Sequence, residues 1–123
     1  MSNFNIEVDD EHRIIRVTYE GNLDILNANK LVNEARSIAH NLGYNLLYDM
    51  QNSLLKASAT EMYFFPRQHE LLVKPEAERV KSAAIIPPRD EQGWAFYETT
   101  SINAGLNFRI FHNEEDALKW LRG

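Results

Sequence analysis

Apolar and polar positions alternate at two periods along this chain. From Asn3 to Asp9, Phe4, Ile6 and Val8 oppose Asn5 and Glu7, the period of a half-buried strand. Asp10-Glu11-His12 is polar and short, as a hairpin turn requires. Ile15, Val17 and Tyr19 then oppose Arg16, Thr18 and Glu20, which predicts a second strand ending where Gly21 and Asn22 break the chain. The period next lengthens. Ala28, Leu31, Val32, Ala35, Ile38, Ala39 and Leu42 form one stripe at spacings of three and four, the mark of an amphipathic helix. Asn22 or Asp24 can cap its start, and Gly43 suits the left-handed residue after its end.

Tyr44 to Met50 is short and more continuously apolar, a central strand covered on at least one face, and Gln51 to Ala57 reads as a loop. Ser58-Ala59-Thr60-Glu61 fits a capping box before a helix that starts with Met62 to Phe65, meets Pro66 and closes with Leu71 to Val73. Arg79 to Ile86 predicts a fourth strand, stopped by Pro87-Pro88. Asp90 can cap a helix from Glu91 to Leu106 with a stripe of Ala95, Ile102 and Leu106. Phe108 to His112 is the last strand. Asn113 caps a final helix, acidic in its first turn and basic in its last, as the helix dipole favours.

The order is therefore β-β-α-β-α-β-α-β-α over residues 1–123, expected as a single α/β domain with a five-stranded mixed sheet and four helices. Helices separate the last four strands, so those run parallel, and the first pairs antiparallel through its hairpin. Arg16, Thr18, Asn45, Asp49, Lys81 and Arg109 give several strands a polar alternate face. The helices are thus expected mainly on one face, with the other partly wet or in contact with a partner.

Composition changes this picture little: 44% of the 123 residues are hydrophobic and 25% charged, ordinary for a globular chain. The absence of cysteine removes disulfides, thiolate metal sites and a cysteine nucleophile. A net charge of −5 without a basic run argues against nucleic acid as a partner. The acidic start lacks an apolar stretch, so neither a leader nor a transit peptide is expected. No window approaches the roughly 18 apolar residues of a membrane span, so a cytoplasmic protein is expected.

The closing RIFHNEEDALKWL places Phe111, Glu114, Glu115, Ala117, Trp120 and Leu121 where members of one superfamily carry a strand-final Phe, an acidic turn and a helix ending in Trp-Leu. Looser matches cover Ile14 to Tyr19 with Gly21, YNLLYDM, and FYETTSINAGLNFRIF. With its element order, the chain resembles the SpoIIAA-like (STAS) superfamily, closest to the STAS/CRAL-TRIO-like branch. The resemblance implies a SpoIIAA-like domain. Anti-sigma-factor antagonists of that superfamily are switched by phosphorylation of a serine at the start of the helix after the third strand, where Ser58 stands here. Their Asp-Ser-Ser-Gly motif is absent, since this chain reads Lys56-Ala57-Ser58-Ala59-Thr60. The CRAL-TRIO-like branch is associated with apolar ligands.

The residues offer further chemistry. A phosphate on Ser58 would face free helix amides, whereas the unmodified hydroxyl would be a plain cap. Asp49, Asp90 and His112 follow the carboxyl ends of parallel strands, the rim where open α/β sheets bind ligands, though no catalytic residue is assigned. His12, His40, His69 and His112 lie in separate elements without metal-ligand spacing, so no metal is expected. No phosphate-binding glycine loop occurs, and no cofactor is expected. Tyr63, Phe64 and Phe65 are consecutive, and Trp94, Phe96 and Tyr97 are clustered, so one helix face cannot bury each set. Tyr63, Phe64, Trp94, Phe96 and Tyr97 are the candidate ligand or partner surface. The function expected is a non-enzymatic regulatory or protein-interaction module with an unknown protein partner, a homodimer being one form. The alternative is a carrier of a small apolar or lipid-like ligand, for which a cavity of about 300 Å³ is expected.

Overall fold

In the computed structural model, which describes residues 3–123, the first alternating segments form the antiparallel hairpin of β1 (Phe4–Asp9) and β2 (Ile14–Leu23). The chain continues through α1 (Ile25–Leu42), β3 (Asn45–Leu55), α2 (Ala59–Gln68), β4 (Ser82–Ile85), α3 (Glu91–Asn103), β5 (Phe108–Phe111) and α4 (Glu114–Arg122). Short 3-10 turns occupy Pro75–Arg79 and Pro88–Asp90. The sheet order is β1-β2-β3-β4-β5, and β2 through β5 are parallel, as the intervening helices require.

Strand alternation gives the sheet two apolar faces of unequal size. On one, Ile15, Val17, Tyr19, Leu46, Tyr48, Met50 and Ala84 meet Leu31, Ala35 and Ala39 of α1 and Trp94 of α3. On the other, Ile14, Leu47, Ala83 and Ile85 meet Ala117 and Leu121 of α4. The polar alternate face is therefore covered by α4 over β3 to β5. Arg16 on β2 is ion-paired with Glu114 in the first turn of α4. Helix α2 takes a third position: it packs on α3 and α1, where Phe65 joins Leu72, Ala77 and Leu106.

Several boundaries differ from the sequence expectation, each for a local reason. Strand β2 does not break at Gly21. A bulge between Thr18 and Glu20 shifts its register, and Gly21 takes φ +93°, a conformation glycine adopts without a Cβ penalty. The strand thereby runs on to Leu23 and pairs with a longer β3, so Gln51 to Leu55 is strand rather than loop. Asp24, not Asn22, caps α1, accepting from Asn27 N at 2.8 Å, and Gly43 closes it at φ +72°. Helix α2 ends at Gln68 instead of reaching Val73, two residues after Pro66 removes an amide donor. Strand β4 begins only at Ser82, because Pro75–Arg79 is a 3-10 turn. Helix α3 stops at Asn103. Its buried line is Trp94, Thr100 and Ser101, while Ile102 is exposed and Leu106 is buried beyond the helix end.

Candidate functional site

The small side chains of β4 decide where the interior is incompletely filled. Ser82 and Ala84 face α1 and α3 from β4, the strand between β3 and the edge strand β5, and α2 bridges above them on the two helices. A cavity of about 80 Å³ remains between them. Its walls are Leu31 and Val32 of α1, Tyr48 and Met50 of β3, Met62 and Phe65 of α2, and Trp94 and Tyr97 of α3. It is roughly half the size of a cavity of ~150 Å³ that holds a benzene ring. It is smaller than the ~300 Å³ expected for an acyl chain.

The polar groups of this apolar space gather chiefly around Arg36. The residue sits four positions after Val32, in line with the apolar stripe of α1, and is 2% exposed. Its Nη1 donates to Ala77 O at 3.1 Å and its Nη2 to Ser82 Oγ at 2.9 Å, and His40 Nε2 lies 3.4 Å from Nη1. Burial lowers the guanidinium pKa, with the Tyr48 and Tyr97 phenols beside it acting the other way. Burial also raises the Tyr48 and Tyr97 hydroxyls, so both remain protonated at neutral pH. Two more lining groups are buried, Trp94 Nε1 without a hydrogen-bond partner and Ser101 Oγ with only the Tyr97 phenol beside it. Each such atom costs about 1–3 kcal/mol if nothing pairs it.

The sequence-derived aromatic set divides here. Trp94 and Tyr97 line the cavity, whereas Tyr63, Phe64 and Phe96 are 44%, 45% and 40% exposed on the outer sides of α2 and α3. Arg67 ties these two helices together: its guanidinium lies 4.0 Å from the centre of the Tyr63 ring, and its Nη1 donates to Thr100 Oγ1 at 2.6 Å.

Of the expected rim residues, Asp49 lies within β3, because that strand runs on to Leu55, and each of the three has its own partner. Asp49 accepts from Gln51 N and Nε2 at 3.2 and 3.0 Å. Asp90 occupies the cap position of α3, but its carboxylate accepts from Leu55 N at 2.9 Å instead of capping. With Arg89, whose Nη2 donates to Ser53 O at 2.5 Å, it fastens the long end of β3 to the start of α3. The His112 imidazole is hydrogen-bonded to the Glu91 carboxylate, and both are exposed. No hydrogen bond or ion pair joins any two of Asp49, Asp90 and His112 among the described residues, where no group of three His, Asp or Glu could hold a metal ion.

Ser58 caps α2 in the reciprocal geometry its spacing predicts. Its Oγ accepts from Glu61 N at 3.1 Å, and Glu61 Oε1 accepts from Ser58 N at 2.8 Å. Replacing Ser58 by Ala is expected to lower stability by about 1 kcal/mol, read from urea unfolding. An unchanged midpoint would refute the cap's contribution.

His69 supplies a pH response. It is buried, its Nδ1 accepts from Leu71 N at 3.1 Å, and burial holds its pKa below the ordinary 6.5. His40 is lowered by burial and by the neighbouring Arg36 cation. Both bind fewer protons folded than unfolded. Stability is therefore full above pH 6.5 and declines as pH falls through 6.5 toward their folded values. The urea midpoint should drop between about pH 7.5 and about pH 5.5, and His69→Gln should flatten that slope. An equally steep slope in the variant would count against His69.

The sequence did not reveal Arg36, Ser82, Ser101, Met50 or Met62 as site residues. Two signals were present: a basic residue in line with an apolar stripe, and the small-residue run Ser82-Ala83-Ala84 in a buried strand. The chain is similar to an uncharacterized protein of the DUF3478 family with a SpoIIAA-like fold from Shewanella loihica PV-4. The likeness has a TM-score of 0.62 at 16% identity and covers 98% of this chain and 95% of that one. No protein-family model matches the chain, and no curated protein matches it. At that identity the likeness is one of fold, and the fold of this chain is SpoIIAA-like.

Proposed function

We propose that this SpoIIAA-like chain is a non-enzymatic, cytoplasmic binding module of the STAS type that takes a small apolar molecule into the cavity under α2. The cavity itself carries the reading: it is almost wholly apolar, lies between the sheet and helices α1, α2 and α3, and is only partly enclosed. As it stands, its size suits about three or four heavy atoms, and a ligand of butyrate length enters only by displacing the flexible Met50 and Met62 side chains, which narrows the lipid-like alternative to its small end. The side chains of Met50 and Met62 line it and report on occupancy. With methyl-labelled methionine, 1-butanol or butyrate should shift the Met50 and Met62 resonances. Ala84→Leu, which places three further carbons in the space, should abolish both responses. Resonances unmoved by either probe would sink the reading.

A second reading, contact with a protein partner or a second copy, rests on exposed Tyr63, Phe64 and Phe96. Sedimentation of the wild type against Tyr63→Ser/Phe64→Ser tests its homodimer form. A monomer that sediments identically in both cases argues against self-association through this surface.

A further inference from the structure

A buried cation at the cavity wall has no anion. Arg36 is 2% exposed, and no carboxylate lies within ion-pair distance of it among the described residues. Its partners are the Ala77 carbonyl, the Ser82 hydroxyl and the imidazole of His40, with the neutral Tyr48 phenol close beside it. These contacts occupy at most four of the five donors of a guanidinium, and none of them carries a negative charge. Arginine stays protonated in proteins, so the charge cannot be relieved by losing a proton. Ser101, whose hydroxyl is buried beside the Tyr97 phenol, lines the same cavity from α3. The remaining wall is hydrocarbon and aromatic ring, apart from the neutral Tyr48 and Tyr97 phenols and Trp94 Nε1.

We infer that the occupant is a small organic monocarboxylate. Its carboxylate supplies the counter-ion that Arg36 lacks, and its tail lies among Leu31, Met50, Met62 and Phe65. The inference rests on the binding role proposed above and names the chemical class of the ligand. A planar carboxylate matches the flat donor fork of arginine. A phosphate dianion does not suit the site, because one guanidinium would leave half of its charge unbalanced in an apolar surround. A neutral ligand of the same length would fill the volume and leave the cation unpaired.

The test uses the wild-type protein at neutral pH and follows the methyl resonances of Met50 and Met62 during titration with butyrate and with butyramide. The amide has the same heavy-atom count and no charge. Butyrate should bind at least about tenfold more tightly than butyramide, the scale of a hydrogen bond to a charged group. Arg36→Met should erase that preference and still admit butyramide. Equal affinity of the wild type for the two compounds overturns the carboxylate assignment and leaves the cavity's binding role standing. Retention of the tenfold preference in Arg36→Met also overturns it. Failure of butyrate, butyramide and 1-butanol alike removes the binding role and the carboxylate together. The comparison of isosteres needs no variant, so it remains decisive if Arg36→Met does not fold.

Discussion

Phe65→Ala should lower the unfolding free energy by about 3–5 kcal/mol, the largest loss expected for a single truncation in α2. Phe65 is buried, and its ring centre lies 5.3 Å from that of His69 and 6.4 Å from that of Tyr97. It also forms part of the cavity wall. Deleting the ring therefore enlarges a space that is already incompletely filled, and little nearby can collapse into it. Collapse is also limited because α2 packs on α1 and α3 instead of lying on the sheet. Urea unfolding measures the loss. The variant should in addition take a longer carboxylate, such as hexanoate, more tightly than the wild type does. A cost under about 1 kcal/mol would mean that Phe65 is not a packed residue of the cavity wall.

Leu121→Ala should cost about 2–5 kcal/mol and lower the melting temperature by on the order of 10 °C. Leu121 is buried on α4 against Ile14, Leu47, Ala83 and Ile85, the apolar strip of the opposite sheet face. The truncation weakens that cover. The sheet stands between this site and the cavity, so the folded variant should bind butyrate as the wild type does. The two substitutions thus separate stability from binding: both destabilise, and only Phe65→Ala alters which ligand is taken. Altered ligand preference in Leu121→Ala would contradict the assignment of the two faces to separate roles.

Much of the architecture was legible because it follows from local periodicity. Period-two alternation in Phe4 to Val8 and Ile15 to Tyr19 marks strands whatever they pack on. The stripe from Ala28 to Leu42 marks a helix, and the capping residues Ser58 and Asn113 mark helix starts through bonds spanning three residues. The misplaced boundaries lie where distant pairing overrides local preference. Gln51 to Leu55 is polar enough to read as a loop, yet it is strand because bulged β2 offers it a partner out to Leu23. Asp90 has the residue type and position of a helix cap, but the amide of Leu55, 35 residues away, takes its carboxylate.

The aromatic clusters show the same division. Consecutive Tyr63, Phe64 and Phe65 cannot share one helix face, and that much is read from spacing. Which of them points inward depends on where α1 and α3 lie. Phe65 faces inward, although it is outside the sequence-derived surface set.

From the sequence alone come the order of the elements, the parallel run of four strands, the caps and the presence of more apolar surface than two helix faces can hide. These depend on neighbours a few residues apart, whose geometry the backbone dictates. Tertiary packing decided the rest: that small residues on β4 meet a bridging helix and leave a void, and that Arg36 ends beside it without a counter-charge. Volume and charge balance are sums over residues far apart in the chain, so no local pattern could report them.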